Sequence, residues 1–212
     1  MLRILRDFSK RMLRNLLRKR DNFKIGFYGP PNAGKTSLAN VICKSFTGEE
    51  MGSVSDIPHE TRSVQFKEKV EIEHKGKSLT FKIVDTPGIA TRIDYEDFLK
   101  AGIKKTTAKK RAKEATQGVI DSIKWLDDMD AVVVVLDSTQ NPYSQVNVTI
   151  IGNLQARKIP VLIVANKTDL KKSDMKKVEA AFPEYDVVGI SVKKEKNIEG
   201  FYESLFKLAK KA

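Results

Sequence analysis

Residues 29–36 read GPPNAGKT, in which Gly29 and Gly34 bracket four residues and are followed by Lys35 and Thr36. That is the spacing of a Walker A loop, and its chemistry is phosphate capture. The glycines let backbone approach the ligand closely. The N–H groups of Asn32, Ala33, Gly34, Lys35, Thr36 and Ser37, with the positive end of a following helix, can then hold phosphate oxygens. Lys35 would neutralise the β- and γ-phosphates, and the Thr36 hydroxyl would ligate Mg²⁺. A second set is Asp85-Thr86-Pro87-Gly88, in which the carboxylate suits a magnesium contact through water and the Gly88 N–H suits a γ-phosphate. A third set, Asn166-Lys167-Thr168-Asp169, bears on the base. The Asp169 carboxylate can accept from both N1–H and the 2-amino group of guanine, a donor pair that adenine lacks. Asn166 would brace the neighbouring loops, and the aliphatic stem of Lys167 would cover the base.

These side chains need elements that carry them to one edge. Phe23, Ile25 and Phe27 begin a strand that runs into the Walker A loop, and a helix should follow to about Phe46. A loop containing Gly, Ser and Pro then extends to about Ser63. Val64, Phe66, Val70, Ile72 and His74 fall on alternate positions of a half-polar strand, and Lys75-Gly76-Lys77 reads as a hairpin turn. A third strand, Leu79 to Val84, leads into DTPG. Ala108, Ala112, Ala115, Val119, Ile123 and Leu126 recur at spacings of three and four, which predicts an amphipathic helix. The apolar runs 131–136, 161–165 and 187–191 belong to the interior of a parallel sheet. Helical patterns lie between them, on Val146, Ile150 and Leu154 and from Ser173, and a last one carries Ile198, Phe201, Leu205 and Leu208. The alternation defines an α/β fold, in which ligands bind at the carboxyl ends of the strands.

In this order the motifs resemble those of the Era-like GTPases, within the translation-factor-related class of P-loop GTPases, over about residues 23–210. The resemblance implies a Ras-like G domain: a mostly parallel six-stranded sheet with one antiparallel edge strand and helices on both faces. It implies GTP and GDP as ligands, GTP hydrolysis, and Mg²⁺ held through Thr36, Thr61 and Asp85. Thr61 in PHETR matches the switch I threonine that closes on Mg²⁺ and the γ-phosphate, although Glu60 stands where relatives often have a second threonine. Ser191-Val192-Lys193 matches the SAK loop, in which a backbone N–H meets guanine O6, and a backbone contact should survive valine in place of alanine. Lys35, Thr61 and Gly88 are the groups expected to act on the reacting phosphate. After DTPG comes Ile89, where Ras-like proteins place a water-orienting glutamine. Isoleucine cannot orient water, so the resemblance points to help from backbone groups, a monovalent cation or a partner. Asn32 matches the P-loop asparagine that helps hold K⁺ in potassium-stimulated relatives; it equally suits a tight turn. Unaided Ras-type turnover is about 10⁻⁴ per second, and a well-placed positive charge raises it by up to about 10⁵-fold. A slow switch is expected, with activating or exchange proteins that the sequence does not name. A pseudo-GTPase scaffold is disfavoured because Lys35, Thr36, Thr61, Asp85 and Asp169 are all present.

The 212 residues are 41% hydrophobic and 31% charged, with a formal net charge of +12. Such a charge argues for an anionic partner. It is concentrated in two places. Residues 1–24 carry nine Lys/Arg against two Asp, and residues 100–113 carry seven Lys/Arg and no acid, each giving +7, while the remainder sums to −2. In residues 1–20 Leu2, Ile4, Leu5, Phe8, Met12, Leu13, Leu16 and Leu17 occupy one face of a helix, with Arg3, Arg6, Lys10, Arg14 and Arg18 on the other. This pattern fits an in-plane helix on an anionic membrane surface, the partner favoured here. Docking on protein and binding nucleic acid are the alternatives. The organisation expected is an amphipathic helix at 1–22 and a G domain at 23–212, with an extended switch II region at about 89–130. The basic segment 100–113 is either a solvated helix start or a surface that GTP repositions. No C-terminal KH domain is expected after Ala212, which sets the chain apart from Era and favours a membrane or vesicle role over a ribosome or RNA factor. The location expected is cytoplasmic, with peripheral contact at the membrane face. The one cysteine, Cys43, excludes an internal disulfide framework, and His59 and His74 lack metal-ligand spacing.

Overall fold

The computed structural model describes residues 23–47, 63–74, 76–89, 95–100 and 102–212. The expected N-terminal helix and the switch I residue Thr61 lie outside the described residues. The described chain forms β1 (Lys24–Tyr28), α1 (Lys35–Thr47), β2 (Gln65–His74), β3 (Lys77–Asp85), α2 (Tyr95–Lys100), α3 (Lys105–Trp125), β4 (Ala131–Asp137), α4 (Gln145–Ala156), β5 (Val161–Asn166), α5 (Met175–Ala181), β6 (Asp186–Gly189) and α6 (Ile198–Lys211). The six strands form one sheet in the order β2-β3-β1-β4-β5-β6. All neighbours pair in parallel except β2 and β3, so β2 is an antiparallel edge.

The central strands are apolar throughout because both their faces are covered. In β4, Ala131, Val133 and Val135 enter one core cluster and Val132, Val134 and Leu136 the other, the period of two that a pleated strand imposes. The first cluster includes Leu38 and Ile42 of α1 and Phe201 and Leu205 of α6. The second includes Ile150 and Leu154 of α4, Val178 of α5, and Leu126 in the short turn after α3. The mostly parallel sheet with helices on both faces agrees with the sequence reading.

The alternation expected along β2 does not hold from end to end. Lys67 pairs with Ile83 and Val70 with Phe81, so β2 spends one more residue than β3 between those pairs. This bulge turns Phe66 to the opposite face from Val70 and Ile72. Val70 and Ile72 are fully buried in the α1 and α6 cluster, while Phe66 is half exposed, its ring meeting Trp125 edge-on with centroids 4.9 Å apart. The strand after residue 186 is also shorter than read, ending at Gly189. The strand order reverses at β1, since the chain passes from β1 to β3 on one side and reaches β4 on the other. That crevice, at the carboxyl ends of the strands, is where such sheets bind ligands.

Candidate functional site

The loop after β1 enters α1 through Gly34, whose φ is +97°. A side chain there would be strained in conformation and would collide with the Asn166 amide. Asn32 is also left-handed, at φ +58°, a region that asparagine tolerates better than most residues. Its exposed side chain makes no hydrogen bond with another described residue. Lys35 is buried, and its Nζ donates to the Pro30 carbonyl at 2.9 Å, so the ammonium lies folded over its own loop.

DTPG approaches that loop from β3. Thr36 Oγ1 donates to Asp85 Oδ2 at 2.6 Å, and Thr86 Oγ1 donates to the Phe27 carbonyl at 2.7 Å. A Cβ on Gly88 would come within 2.7 Å of Pro31 Cα, so the two loops touch through backbone. Burial lowers the Lys35 ammonium to about 8, resisted by Asp85, and lifts the Asp85 carboxyl to about 6, resisted by the Thr36 hydroxyl and by Lys35. Both charges are desolvated and only partly compensated. Asp85 Oδ1 is fully buried and has no hydrogen-bond partner among the described residues. A buried, orphaned carboxylate oxygen beside a threonine hydroxyl is a donor set that suits Mg²⁺, a hard cation with oxygen ligands. Ile89 is buried in the α3-side cluster, and its N–H donates to the Gly29 carbonyl at 3.1 Å. Its side chain has no route to a reacting water.

The base end is organised by Asn166. Its Nδ2 donates to the Ala33 carbonyl at 2.9 Å, while Oδ1 accepts from Lys167 N at 2.8 Å and Val192 N at 3.1 Å. One side chain therefore joins the phosphate loop, its own loop and the loop at 191–193. Lys167 has φ +68°, and its Nζ pairs with Asp137 Oδ2 at 2.7 Å. The Ser191 hydroxyl bonds the Asp169 carboxylate and holds it below its usual range, with Lys194 and Lys193 adding in the same direction. Ser191 Oγ also accepts from Lys194 N at 3.1 Å. With the N–H groups of Val192 and Lys194 both engaged, the N–H of Lys193 between them is left without a bond to another described residue.

Sequence reasoning passed over Asp137 and Ser138. Asp137 Oδ1 accepts from Thr139 N and Oγ1 while Oδ2 holds Lys167. Burial raises its pKa, but these bonds outweigh it and the carboxyl is held low. Ser138 Oγ donates to the Asn166 carbonyl at 2.7 Å. The available signal was an acidic residue at the carboxyl end of an apolar strand, the same signal that singled out Asp85.

Residues 24–167 match the protein family described as 50S ribosome-binding GTPase. The chain is 33% identical over 156 residues to GTPase Der of Mycoplasmopsis pulmonis, covering 73% of this chain and 30% of that protein. It is 30% identical over 190 residues to tRNA modification GTPase MnmE of Natranaerobius thermophilus, covering 89% of this chain and 35% of that protein. The chain thus spans about a third of the length of these curated relatives. A crystal structure of Aquifex aeolicus Era bound to GDP and AlF₄⁻ superposes with a TM-score of 0.66 at 20% identity, covering 88% of this chain and 56% of that one. Era in complex with MgGDPNP and a segment of 16S ribosomal RNA gives a TM-score of 0.67 at 19% identity, with the same coverage of each chain. Likeness at that identity concerns the fold.

Proposed function

The chain belongs to the 50S ribosome-binding GTPase family, and from that premise we propose that it is a guanine-nucleotide switch that binds GTP and GDP, hydrolyses GTP slowly, and acts on RNA or the ribosome. The observation that carries the nucleotide reading is the Asn166 side chain, which bonds the phosphate loop and both base loops at once. A ligand bridging those loops has a phosphate chain at one end and a base at the other.

In this reading the N–H groups of Asn32 to Ser37 and of Gly88 hold the phosphates, and Lys35 leaves the Pro30 carbonyl to neutralise them. Thr36 and Asp85 hold Mg²⁺, joined by Thr61. Mg²⁺ bound there would neutralise charge developing on the β- and γ-phosphate oxygens. Asp169 reads the guanine donors, the stem of Lys167 covers the base, and Lys193 N–H, with Ser191 and Val192 beside it, meets O6. Residues 23–212 act as the G domain, and the segment 89–130 responds to the γ-phosphate.

The site predicts its own specificity change. Asp169→Asn exchanges an acceptor for a donor opposite guanine N1–H and the 2-amino group, so binding should move from GTP toward xanthosine triphosphate, whose 2-carbonyl accepts. Fluorescence titration of both nucleotides measures it; unchanged preference for GTP contradicts the assignment. With Ile89 buried, a monovalent cation held at Asn32 is the aid we propose beside backbone groups and a partner. Hydrolysis should therefore run several-fold faster in K⁺ than in Na⁺, and Asn32→Ala should abolish the difference, while equal rates return Asn32 to a turn-forming role.

The partner reading is supported by the family description and by the relative crystallised with 16S ribosomal RNA. A second reading, attachment to an anionic membrane surface, rests on the two-faced pattern of residues 1–20. The contact we propose is peripheral, in a cytoplasmic setting; among the described residues no helix is long and apolar enough to cross a membrane.

A further inference from the structure

Helix α3 has two halves with different company. Its C-terminal half is seated on the G domain: Tyr28 Oη donates to the Ser122 carbonyl at 2.9 Å in a buried contact, Val119 and Ile123 pack on the core, and Ser122 Oγ lies 3.5 Å from the Pro87 carbonyl of DTPG. Its N-terminal half packs through Ala108, Ala112 and Ala115 against Leu99 of α2 and Ile103. Opposite that alanine face, at about 100° per residue, fall Lys109, Lys110 and Lys113, all exposed, with exposed Lys104 and Lys105 beside them. The first turn contains no acidic residue, and the N-cap is Lys104, with no side-chain cap. Cations here oppose the positive helix end instead of complementing it, so local stability is given up for a concentrated positive field.

The type of anion follows from what the surface lacks. Insertion into a lipid interface requires apolar side chains among the cations. The exposed large hydrophobic residues among those described are Phe66, Ile120, Tyr143, Val148 and Leu170, and none falls in the basic half of α3. A polar, predominantly cationic face, in which Lys110 lies 3.9 Å from Glu114 and Thr106 and Thr107 are further hydroxyl donors, suits a phosphodiester backbone.

We infer that the basic half of α3 is a docking surface for the phosphate backbone of RNA, and that α3, seated against DTPG at its other half, makes its engagement depend on the bound nucleotide. From Ser122 to Lys109 the helix spans about 20 Å of continuous backbone. A shift of Pro87 and Gly88 toward a γ-phosphate moves the base of that lever and re-aims its cationic end. The coupling rests on the guanine-nucleotide reading above; the surface does not.

The test uses the full chain, a fluorescein-labelled oligouridylate of about 30 nucleotides, and anisotropy across a salt series. The charge reversal Lys109→Glu, Lys110→Glu, Lys113→Glu should weaken binding by at least about tenfold and reduce the slope of log K against log salt by about 2, at roughly 0.7 for each phosphate that is no longer neutralised. The neutral triple, each lysine changed to Gln, should fall between, and both should bind GDP as the parent does. RNA affinity should differ several-fold between the GDP and GDPNP forms, with RNA changing the preference for GDPNP over GDP by the same factor. Parental affinity and salt slope in both triples would overturn the surface, as would loss of binding to phosphatidylserine vesicles with RNA binding intact. Equal RNA affinity in the two nucleotide states would overturn the coupling. Failure of the parent chain to bind GDP would instead overturn the nucleotide reading and leave the RNA result standing.

Discussion

Lys35 and Asp85 are opposite charges that folding takes almost wholly out of water at the phosphate end of the site. Asp85 titrates at about 6 in the folded chain against an ordinary 3.8, because burial disfavours the carboxylate. The folded state therefore binds this proton more tightly than the unfolded state. Above about 6 the cost of the buried charge is fully present, and it is relieved as pH falls through that value toward 3.8. Lys35 is charged below about 8, so its own desolvation cost stays in place throughout that window. The thermal midpoint of the nucleotide-free protein should accordingly rise as pH is lowered from about 7 to about 5, and the rise should be absent in Asp85→Asn. An undiminished rise in the variant would assign the effect elsewhere. Lys35, Asp85 and Asp169 were legible in sequence because each chemistry needs one residue type at one spacing after an apolar strand. Asp137 was not, since its partner Lys167 is 30 residues away and only the parallel pairing of β4 with β5 sets Asp137 beside Asn166.

At the scale of elements, hydrophobic period located the strands and helices well and their contacts less well. The alanine and β-branched stripe of α3 was readable, but two of the buried positions on α3 are Gly118 and Ser122, which carry no hydrophobic signal. Small residues are buried because another element comes close, and that closeness is a property of the assembled fold. Ser122 shows the consequence: its carbonyl takes the Tyr28 hydroxyl and its own hydroxyl turns back to the Gly118 carbonyl. Tyr28→Phe removes the tie between β1 and α3. It should cost about 1 kcal/mol, seen as a loss of about 2–4 °C in the melting midpoint for a domain of this size. A midpoint unchanged from the parent would mean that the helix is held by its apolar contacts alone. The bulge in β2 was invisible for a related reason. Alternation is read along one strand, whereas a bulge is a mismatch with the partner strand, here between Lys67 and Val70.

For the whole molecule, the charge of +12 sits on a body that is nearly neutral outside residues 1–24 and 100–113. The second segment now has a structural setting on α3, whereas the first is known from its pattern. If the apolar face of residues 1–20 enters a lipid surface, Leu13→Asp with Leu16→Asp should reduce co-sedimentation with phosphatidylserine vesicles by at least about tenfold while leaving RNA affinity near the parental value. Equal losses of both would indicate that the segment serves as a general cationic arm. The sheet also separates the two halves of the proposed site. The loops proposed to hold phosphate follow β1 and β3, those proposed to hold the base follow β5 and β6, and β4 lies between the two groups. Asn166 Nδ2 reaches over that gap to the Ala33 carbonyl. A partner that drew Asn166 away would slacken both grips on the nucleotide in one movement without touching the nucleotide itself. If GDP binds as proposed, its dwell time should depend on the crossing of the two loops, and loss of the Asn166 bond to the Ala33 carbonyl should hasten exchange.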